Sequence, residues 1–312
     1  MPTAVISTAL RPLIEPHLLA DVQVHWFSNK EEALALAAQA EIGWFDLRSK
    51  ADMSEVIAAA KNLRWLNSVY AGLDGLPLAQ LLAQGTAVTH GTGINAVTIA
   101  EYVVMGMLNI AKGYREVVRA QDRRDWLKDS PGKVELAGSR ALVLGYGAIG
   151  QLVCKRLRAF EVQVSVVRRS ADPDALTPDQ WRPRLGEFDW IIVAVPATPE
   201  TEAMLGAAEF AACKPSATVL NVARGSVVDQ QALVEALQSG RIGHAFLDVT
   251  TPEPLPAEHV LWTLPNVHIS MHLSGRAQDK MLQRAAARFL DNLKRYQQGE
   301  TLVPLANLAL GY

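Results

Sequence analysis

Short apolar runs alternate along this chain with longer stretches in which apolar positions recur every three or four residues. The short runs predict buried strands and the longer stretches predict amphipathic helices. Their regular alternation predicts an α/β fold with parallel sheets. In the first part, strands are expected at Ala4–Ser7, Val22–Phe27, Glu41–Phe45, Trp65–Val69 and Ala87–Thr89. Helices are expected between them, for example at Lys30–Gln39 and Leu76–Ala83, giving a small doubly wound domain. One long helical pattern follows from about Ala96 to Arg123. Its first half is apolar (Val97, Ile99, Ala100, Val103, Val104, Met107, Leu108) and its second half charged, which reads as a crossing between domains and a packing surface for a second subunit.

Six further runs predict a second sheet: Ala141–Leu144, Val162–Val167, Trp190–Val195, Thr218–Val222, Ala245–Val249 and Val267–Ser270. They suit two mononucleotide halves. A last helix, Asp279 to Gln297, returns the chain to the first domain, which is then discontinuous. The expected division is 1–97 with 284–312 for a smaller flavodoxin-like domain and 98–283 for a Rossmann domain, with a cleft between them.

Between the first two strands of the second sheet lies Gly145-Tyr146-Gly147-Ala148-Ile149-Gly150, a Gly-x-Gly-x-x-Gly pattern that opens a helix with Leu152, Val153, Leu157 and Phe160 on one face. Strand, glycine turn and helix start together form the context of a dinucleotide site. Gly145 permits the turn, Gly147 lets the backbone approach a pyrophosphate, and Gly150 lets the helix pack close. The phosphates then meet free N–H groups at the positive end of the helix. An NAD site would place an acid at the end of the next strand to bind ribose hydroxyls. Here that position reads Arg168-Arg169-Ser170, and no carboxylate follows until Asp172. Two guanidiniums and a hydroxyl suit a 2′-phosphate, so NADPH is the expected cofactor and NADH the alternative.

Composition narrows the class without adding chemistry. The chain has 312 residues, 49% hydrophobic and 20% charged, with a net charge of −2, so no basic excess points to nucleic acid. No apolar run reaches membrane-spanning length, and Met1–Ile6 lacks the pattern of a secretion signal. The two cysteines, Cys154 and Cys213, lack metal-ligand spacing and suit a reducing cytoplasm. No metal site is expected.

Three residues at strand C-terminal ends supply candidate chemistry. Arg224 follows the fourth strand of the second sheet, in Asn221–Ser226. Glu253 sits between Pro252 and Pro254 in Leu247–Pro256, and His272 follows the last strand in Pro265–Gly275. An arginine fork grips a carboxylate, and a histidine moves a proton near neutral pH. Hydride transfer to a carbonyl needs both. His268, inside a strand, reads as an ordinary packed histidine.

These segments, in this order and spacing, resemble the D-isomer-specific 2-hydroxyacid dehydrogenase family, nearest its glyoxylate/hydroxypyruvate reductase branch. The likeness spans nearly the whole chain and is strongest from Glu135 to Gly275; it includes Pro196–Thr201 and Asn221–Asp229. The resemblance implies that Arg224 binds the 2-keto acid carboxylate and polarises the keto oxygen. His272 protonates that oxygen as general acid, and Glu253 hydrogen-bonds His272 and keeps it protonated. It also implies that Asp248 faces the nicotinamide, and that Val195, Pro196, Thr201, Val222, Ala223, Ser274 and Gly275 line the cofactor. Ala71, Gly72 and Leu73 resemble the loop whose N–H groups hold the substrate carboxylate. Trp44 and Phe45 end a small-domain strand, where they either wall the pocket or fill a core; Trp44 is the candidate substrate contact. Trp126 resembles a tryptophan that reaches a partner's site in some relatives.

Two positions depart from the family: Met271 stands where many relatives have Pro, which leaves the loop before His272 less rigid, and Thr250 stands where many have Phe. The implied activity is NADPH-dependent reduction of glyoxylate and hydroxypyruvate by a homodimer. The alternatives are an NAD-dependent relative with another substrate and a nucleotide-sensing regulator on the same fold.

Overall fold

The computed structural model describes residues 1–18, 21–73, 75–169 and 173–308. Two compact units emerge: Met1–Asn95 with Gln278–Tyr312, and Ala96–Ala277.

In the first unit five parallel strands, β1 (Thr3–Ser7), β2 (Gln23–Phe27), β3 (Ile42–Trp44), β4 (Trp65–Asn67) and β5 (Ala87–Thr89), form one sheet in the order β2-β1-β3-β4-β5. This is the flavodoxin-like winding. Helices α1 (Arg11–Ile14), α2 (Lys30–Ala37), α3 (Lys50–Ala59) and α4 (Leu78–Gln84) connect the strands. Alternate side chains of a strand face opposite ways, so each face has its own core. Val5, Leu66 and Val88 join Phe27, Phe45, Met53 and Val56 on one side. Ile6, Trp44 and Trp65 meet Phe289 on the other, with the Trp65 and Phe289 rings stacked at 4.9 Å. Phe289 belongs to the last helix, Met281–Gln297, whose buried Asn292 bonds both the N–H and the carbonyl of Val303. That pins the tail, and Ala306 then donates to the Val88 carbonyl beside β5.

In the second unit the pattern expected to form one helix from Ala96 to Arg123 is two: α5 (Ala96–Ala111) and α6 (Tyr114–Arg123). Gly113 between them is left-handed, φ 59°, and an added Cβ there would lie 2.9 Å from backbone of Pro131 and Gly132. A left-handed glycine ends a helix, and here it also permits the close crossing. The apolar half is mainly interior. Ala100, Val103 and Met107 are fully buried, and a Cβ on Gly106 would lie 2.7 Å from the Phe246 ring.

Six parallel strands follow: β6 (Arg140–Leu144), β7 (Gln163–Val167), β8 (Trp190–Val193), β9 (Thr218–Asn221), β10 (His244–Leu247) and β11 (Val267–Ile269). Helices α7 (Ala148–Ala159), α8 (Ala207–Ala212) and α9 (Gln230–Gln238) run between them; Met281–Gln297 is α10. The sheet order is β11-β10-β9-β8-β6-β7, a Rossmann-type winding whose strand order reverses at β6. The two halves are unequal. Beyond β7 the third strand of the first half is reduced to a single parallel bridge, Val167 to Leu176. Pro173, Pro178 and Pro183 crowd this segment and cannot donate to a ladder.

Candidate functional site

Every strand of the second sheet ends on the same edge, because all are parallel. The first loop on that edge is the glycine turn. Gly145 has φ 101°, and a Cβ on it would lie 2.6 Å from the Ala194 carbonyl oxygen. A Cβ on Gly150 would lie 2.0 Å from the Gly145 oxygen, so α7 rests directly on the turn. Gly147 differs: a Cβ there would meet nothing within 4 Å. No packing reason requires glycine at that position, and the open space is what a pyrophosphate needs. No side chain caps α7, whose first N–H groups therefore face outward. Tyr146, Ala148 and Ile149 are half-buried around it. Val153 and Leu157 are buried as expected, whereas Phe160, at the helix end, is 41% exposed.

Arg168, at the end of β7, lies over the Tyr146 ring at 5.8 Å. Arg169 is exposed and sits near Glu200, whose carboxyl is drawn below the usual range by the Thr198 hydroxyl first and Arg169 further. Ser170 lies outside the described residues. After β8, the half-buried Val195 and exposed Pro196 start a loop that Thr201 closes: its hydroxyl donates to the Pro196 carbonyl at 2.7 Å and accepts from Thr198 N–H at 2.8 Å. Val222 and Ala223 are buried just past β9.

Arg224 is presented by a local turn. Buried Asn221 accepts from Ala223 N–H at 3.0 Å and donates to the Arg224 carbonyl at 2.9 Å. The guanidinium is exposed, and one Nη donates to the Ala223 carbonyl at 2.8 Å. A Cβ on Gly225 would lie 2.1 Å from the Thr250 carbonyl oxygen, so this loop lies against the next one. That next loop holds Glu253. Thr250 N–H donates to Glu253 Oε1 at 3.2 Å, the Thr250 hydroxyl donates to the Pro252 carbonyl, and Gln230 clamps Thr251 through its N–H and its carbonyl. Thr250 thus shapes the proline loop from within.

Glu253 Oε2 and His272 Nδ1 are 2.7 Å apart, both partly open to solvent. Nδ1 faces the carboxylate, which leaves Nε2 for a ligand. Met271 and His272 are both left-handed, with φ of 53° and 55°. Proline cannot reach that region, so the departure at Met271 matches the local backbone. The loop is also tied down. His272 N–H donates to the Asp248 carbonyl at 2.6 Å, Ser270 Oγ to Asp248 Oδ1 at 2.7 Å, and Ser274 reaches the same carboxylate through both N–H and hydroxyl. Asp248 and Ser274 are buried and Gly275 follows them. Ser270, which the sequence reading passed over, is part of this anchor; serines at 270 and 274 flanking the histidine were the available signal.

In the first unit Trp44 is not a pocket wall. It is fully buried against Phe289, and its indole N–H donates to Asp46 at 2.7 Å. A large aromatic in a central strand of a two-faced sheet was claimed by the core. Phe45 is likewise buried. Ala71 is exposed, Gly72 half-buried, and the Leu73 side chain buried in the core. Cys154 and Cys213 are buried free thiols, pushed up by burial to about 11 and about 12. Trp126 is 92% exposed. Burial, then Arg115, pushes His268 down to about 4. Among the described residues no helix is long and apolar enough to cross a membrane.

Known proteins carry the same pattern. Residues 104–274 match the family model described as "D-isomer specific 2-hydroxyacid dehydrogenase, NAD binding domain". The chain is 32% identical over 275 residues to glyoxylate/hydroxypyruvate reductase B of Yersinia pestis, covering 85% of this chain and 83% of that one. It is 30% identical over 267 residues to D-3-phosphoglycerate dehydrogenase of Archaeoglobus fulgidus, covering 84% of this chain and 50% of that one, so it spans half the archaeal protein's length. A D-isomer specific 2-hydroxyacid dehydrogenase family protein from Aeromonas salmonicida superposes with a TM-score of 0.86, at 29% identity, over 98% of this chain and 99% of that one. These likenesses, with the α/β fold, define an NAD(P)-dependent oxidoreductase. The chain belongs to the D-isomer specific 2-hydroxyacid dehydrogenase family.

Proposed function

We propose that this chain reduces small 2-keto acids, glyoxylate and hydroxypyruvate first, to 2-hydroxy acids with NADPH. The observation that carries the reading is the 2.7 Å Glu253–His272 pair, on the loop edge where Arg224 also stands. β9, β10 and β11 are neighbours, so Arg224, Glu253 and His272 come from three adjacent strand ends. A bound nicotinamide dinucleotide supplies the hydride. Arg224 binds the substrate carboxylate and polarises the keto oxygen. His272 donates the proton from Nε2 to that oxygen, while Glu253 holds Nδ1 and stabilises the charged ring. The turn at Ala71–Leu73 offers N–H groups to the carboxylate, as the family resemblance implies.

The glycine turn, with open space at Gly147, fits the pyrophosphate. Arg168 and Arg169 support NADPH over NADH, because guanidiniums favour a 2′-phosphate. Asp248, its carboxylate engaged by Ser270 and Ser274, keeps acceptor capacity for a carboxamide. In the working division, the second unit binds the cofactor and the first meets the substrate. Exposed Met105, Tyr114, Val118 and Trp126 support a homodimer through α5, α6 and the segment after them. Two buried unpaired thiols suit a reducing cytoplasm.

Initial rates at 340 nm with glyoxylate, hydroxypyruvate and pyruvate, each with NADPH and NADH, test this. Turnover of the first two with NADPH supports it. Turnover only with NADH keeps the chemistry and defeats the cofactor assignment. No turnover with any pair favours a nucleotide-sensing regulator.

A further inference from the structure

The turn after β4 is held through its first three N–H groups and two of its carbonyls. Ser68 N–H donates to the Thr89 carbonyl at 2.9 Å, Val69 N–H to Asp46 Oδ2 at 2.7 Å, and Tyr70 N–H to Ser68 Oγ at 3.1 Å. The Tyr70 carbonyl accepts from Gly91 N–H at 2.8 Å, and the Ala71 carbonyl lies 3.2 Å from His90 Nδ1. Among the described residues, the N–H groups of Ala71, Gly72 and Leu73 donate to nothing. In a trans peptide the carbonyl and the following N–H point in opposite directions. Both tethered carbonyls turn toward the end of β5, so the N–H groups of Ala71 and Gly72 turn together the other way. Successive N–H groups aimed to one side make an anion-binding concavity.

A carbonyl only accepts, so the Ala71 contact requires the proton of His90 to sit on Nδ1. That proton is shared with the Thr92 hydroxyl oxygen at 2.8 Å. His90 is only 8% exposed, and burial lowers its affinity for a second proton, outweighing the Ala71 bond that raises it, while Arg288 nearby lowers it further. Arg288 donates to the carbonyls of His90 and Thr92 and so fixes the segment that carries the ring. A Cβ on Gly91 would lie 1.8 Å from the Val69 carbonyl oxygen, so the two strand ends are in direct backbone contact. From the other side, Asp46 receives Val69 N–H, Ser68 Oγ and the Trp44 indole N–H, each at 2.7 Å.

We infer that His90, as its neutral Nδ1–H tautomer, is a positioning residue that with Asp46 aims the free N–H groups of Ala71 and Gly72 at the substrate carboxylate. This rests on the reading that the turn meets that carboxylate. His90 touches no substrate; it sets the plane of the Ala71–Gly72 peptide.

Histidine lends itself to a specific test. Asn places an N–H near Nδ1, Gln places one near Nε2, and Leu fills the space with no donor. Steady-state kinetics with glyoxylate would be measured for H90N, H90Q and H90L, with melting temperature and NADPH affinity as controls. H90L and H90Q are expected to raise the glyoxylate KM about tenfold with a smaller change in kcat, because one aiming bond is lost. H90N is expected to restore KM to within about threefold of the wild type. NADPH affinity should stay unchanged in all three. An unmoved KM in H90L, or an H90N as impaired as H90L, overturns the inference. If the wild-type protein reduces no 2-keto acid, the functional reading fails, and the Gly72 amide resonance decides the positioning separately. It should shift in H90L and H90Q and stay in place in H90N; one position in all four proteins overturns the inference.

Discussion

Replacing Met271 with proline, the residue that the family resemblance implies at this position, is expected to harm the chain. Met271 has φ 53°, whereas the proline ring holds φ near −65°, a change of roughly 120°. The backbone from 270 to 272 would have to refold. It would give up the 2.6 Å bond from His272 N–H to Asp248 and carry the ring away from Glu253. A displaced general acid costs about 10²–10⁴ in rate, so M271P should lose at least about 100-fold in kcat with glyoxylate and NADPH. NADPH affinity, measured by quenching of tryptophan fluorescence, should fall far less than kcat, since the glycine turn is untouched although Asp248 and Ser274 lie beside the refolded segment. M271G is the matched control. It relieves about 1 kcal/mol of left-handed strain and costs about 0.5–1 kcal/mol in unfolded-chain entropy, so stability and kcat should both stay near the wild type. An M271P enzyme that keeps more than about a third of wild-type kcat would refute the link between this backbone conformation and the proton donor.

Other outcomes follow from the same geometry. Changing Arg168 and Arg169 together to Ala should raise the NADPH KM at least about tenfold and leave the NADH KM nearly unchanged; equal effects on both would defeat the 2′-phosphate assignment. G147A should fold normally and bind NADPH more weakly, whereas G150A, whose Cβ would lie 2.0 Å from a carbonyl oxygen, should lose at least about 2 kcal/mol in urea unfolding. His268, lowered from 6.5 to about 4 by burial and Arg115, stays neutral in the folded state while the unfolded chain takes up a proton. Stability should therefore be unaffected above pH 6.5 and fall between pH 6.5 and 4, by about 1–2 kcal/mol once the half-exposed ring is discounted. H268Q should flatten that part of the profile, and an unchanged slope would exclude His268 as its source.

Much of the fold was legible because its signals are local. Runs such as Ala141–Leu144 and Trp190–Val193 are apolar on both faces of a parallel sheet, and the Gly145–Gly150 spacing marks a turn whose crowding can be checked atom by atom. What escaped depends on contacts distant in sequence. Lys112-Gly113 is a weak break between good helix formers, decided by the approach of Pro131 and Gly132. Trp44 ends a strand either as a wall or as core, and only Phe289, far along the chain, decides between them. Nothing about Met and His as residue types announces a left-handed pair; Asp248, Ser270 and Ser274 impose it. The His90–Ala71 bond was equally hidden, since it joins the ends of two strands.

Strand order has a consequence for how such a protein can change. Arg168 follows β7 at one border of the second sheet, and His272 follows β11 at the other, five strand spacings away, or roughly 24 Å. Even Arg224, after β9, is three spacings from β7, roughly 14 Å. Substitutions that far apart without shared partners contribute additively. On the proposed roles, coenzyme preference and proton transfer sit at opposite borders of the sheet, so an exchange of one coenzyme for the other is expected to leave the loops of Arg224, Glu253 and His272 in place.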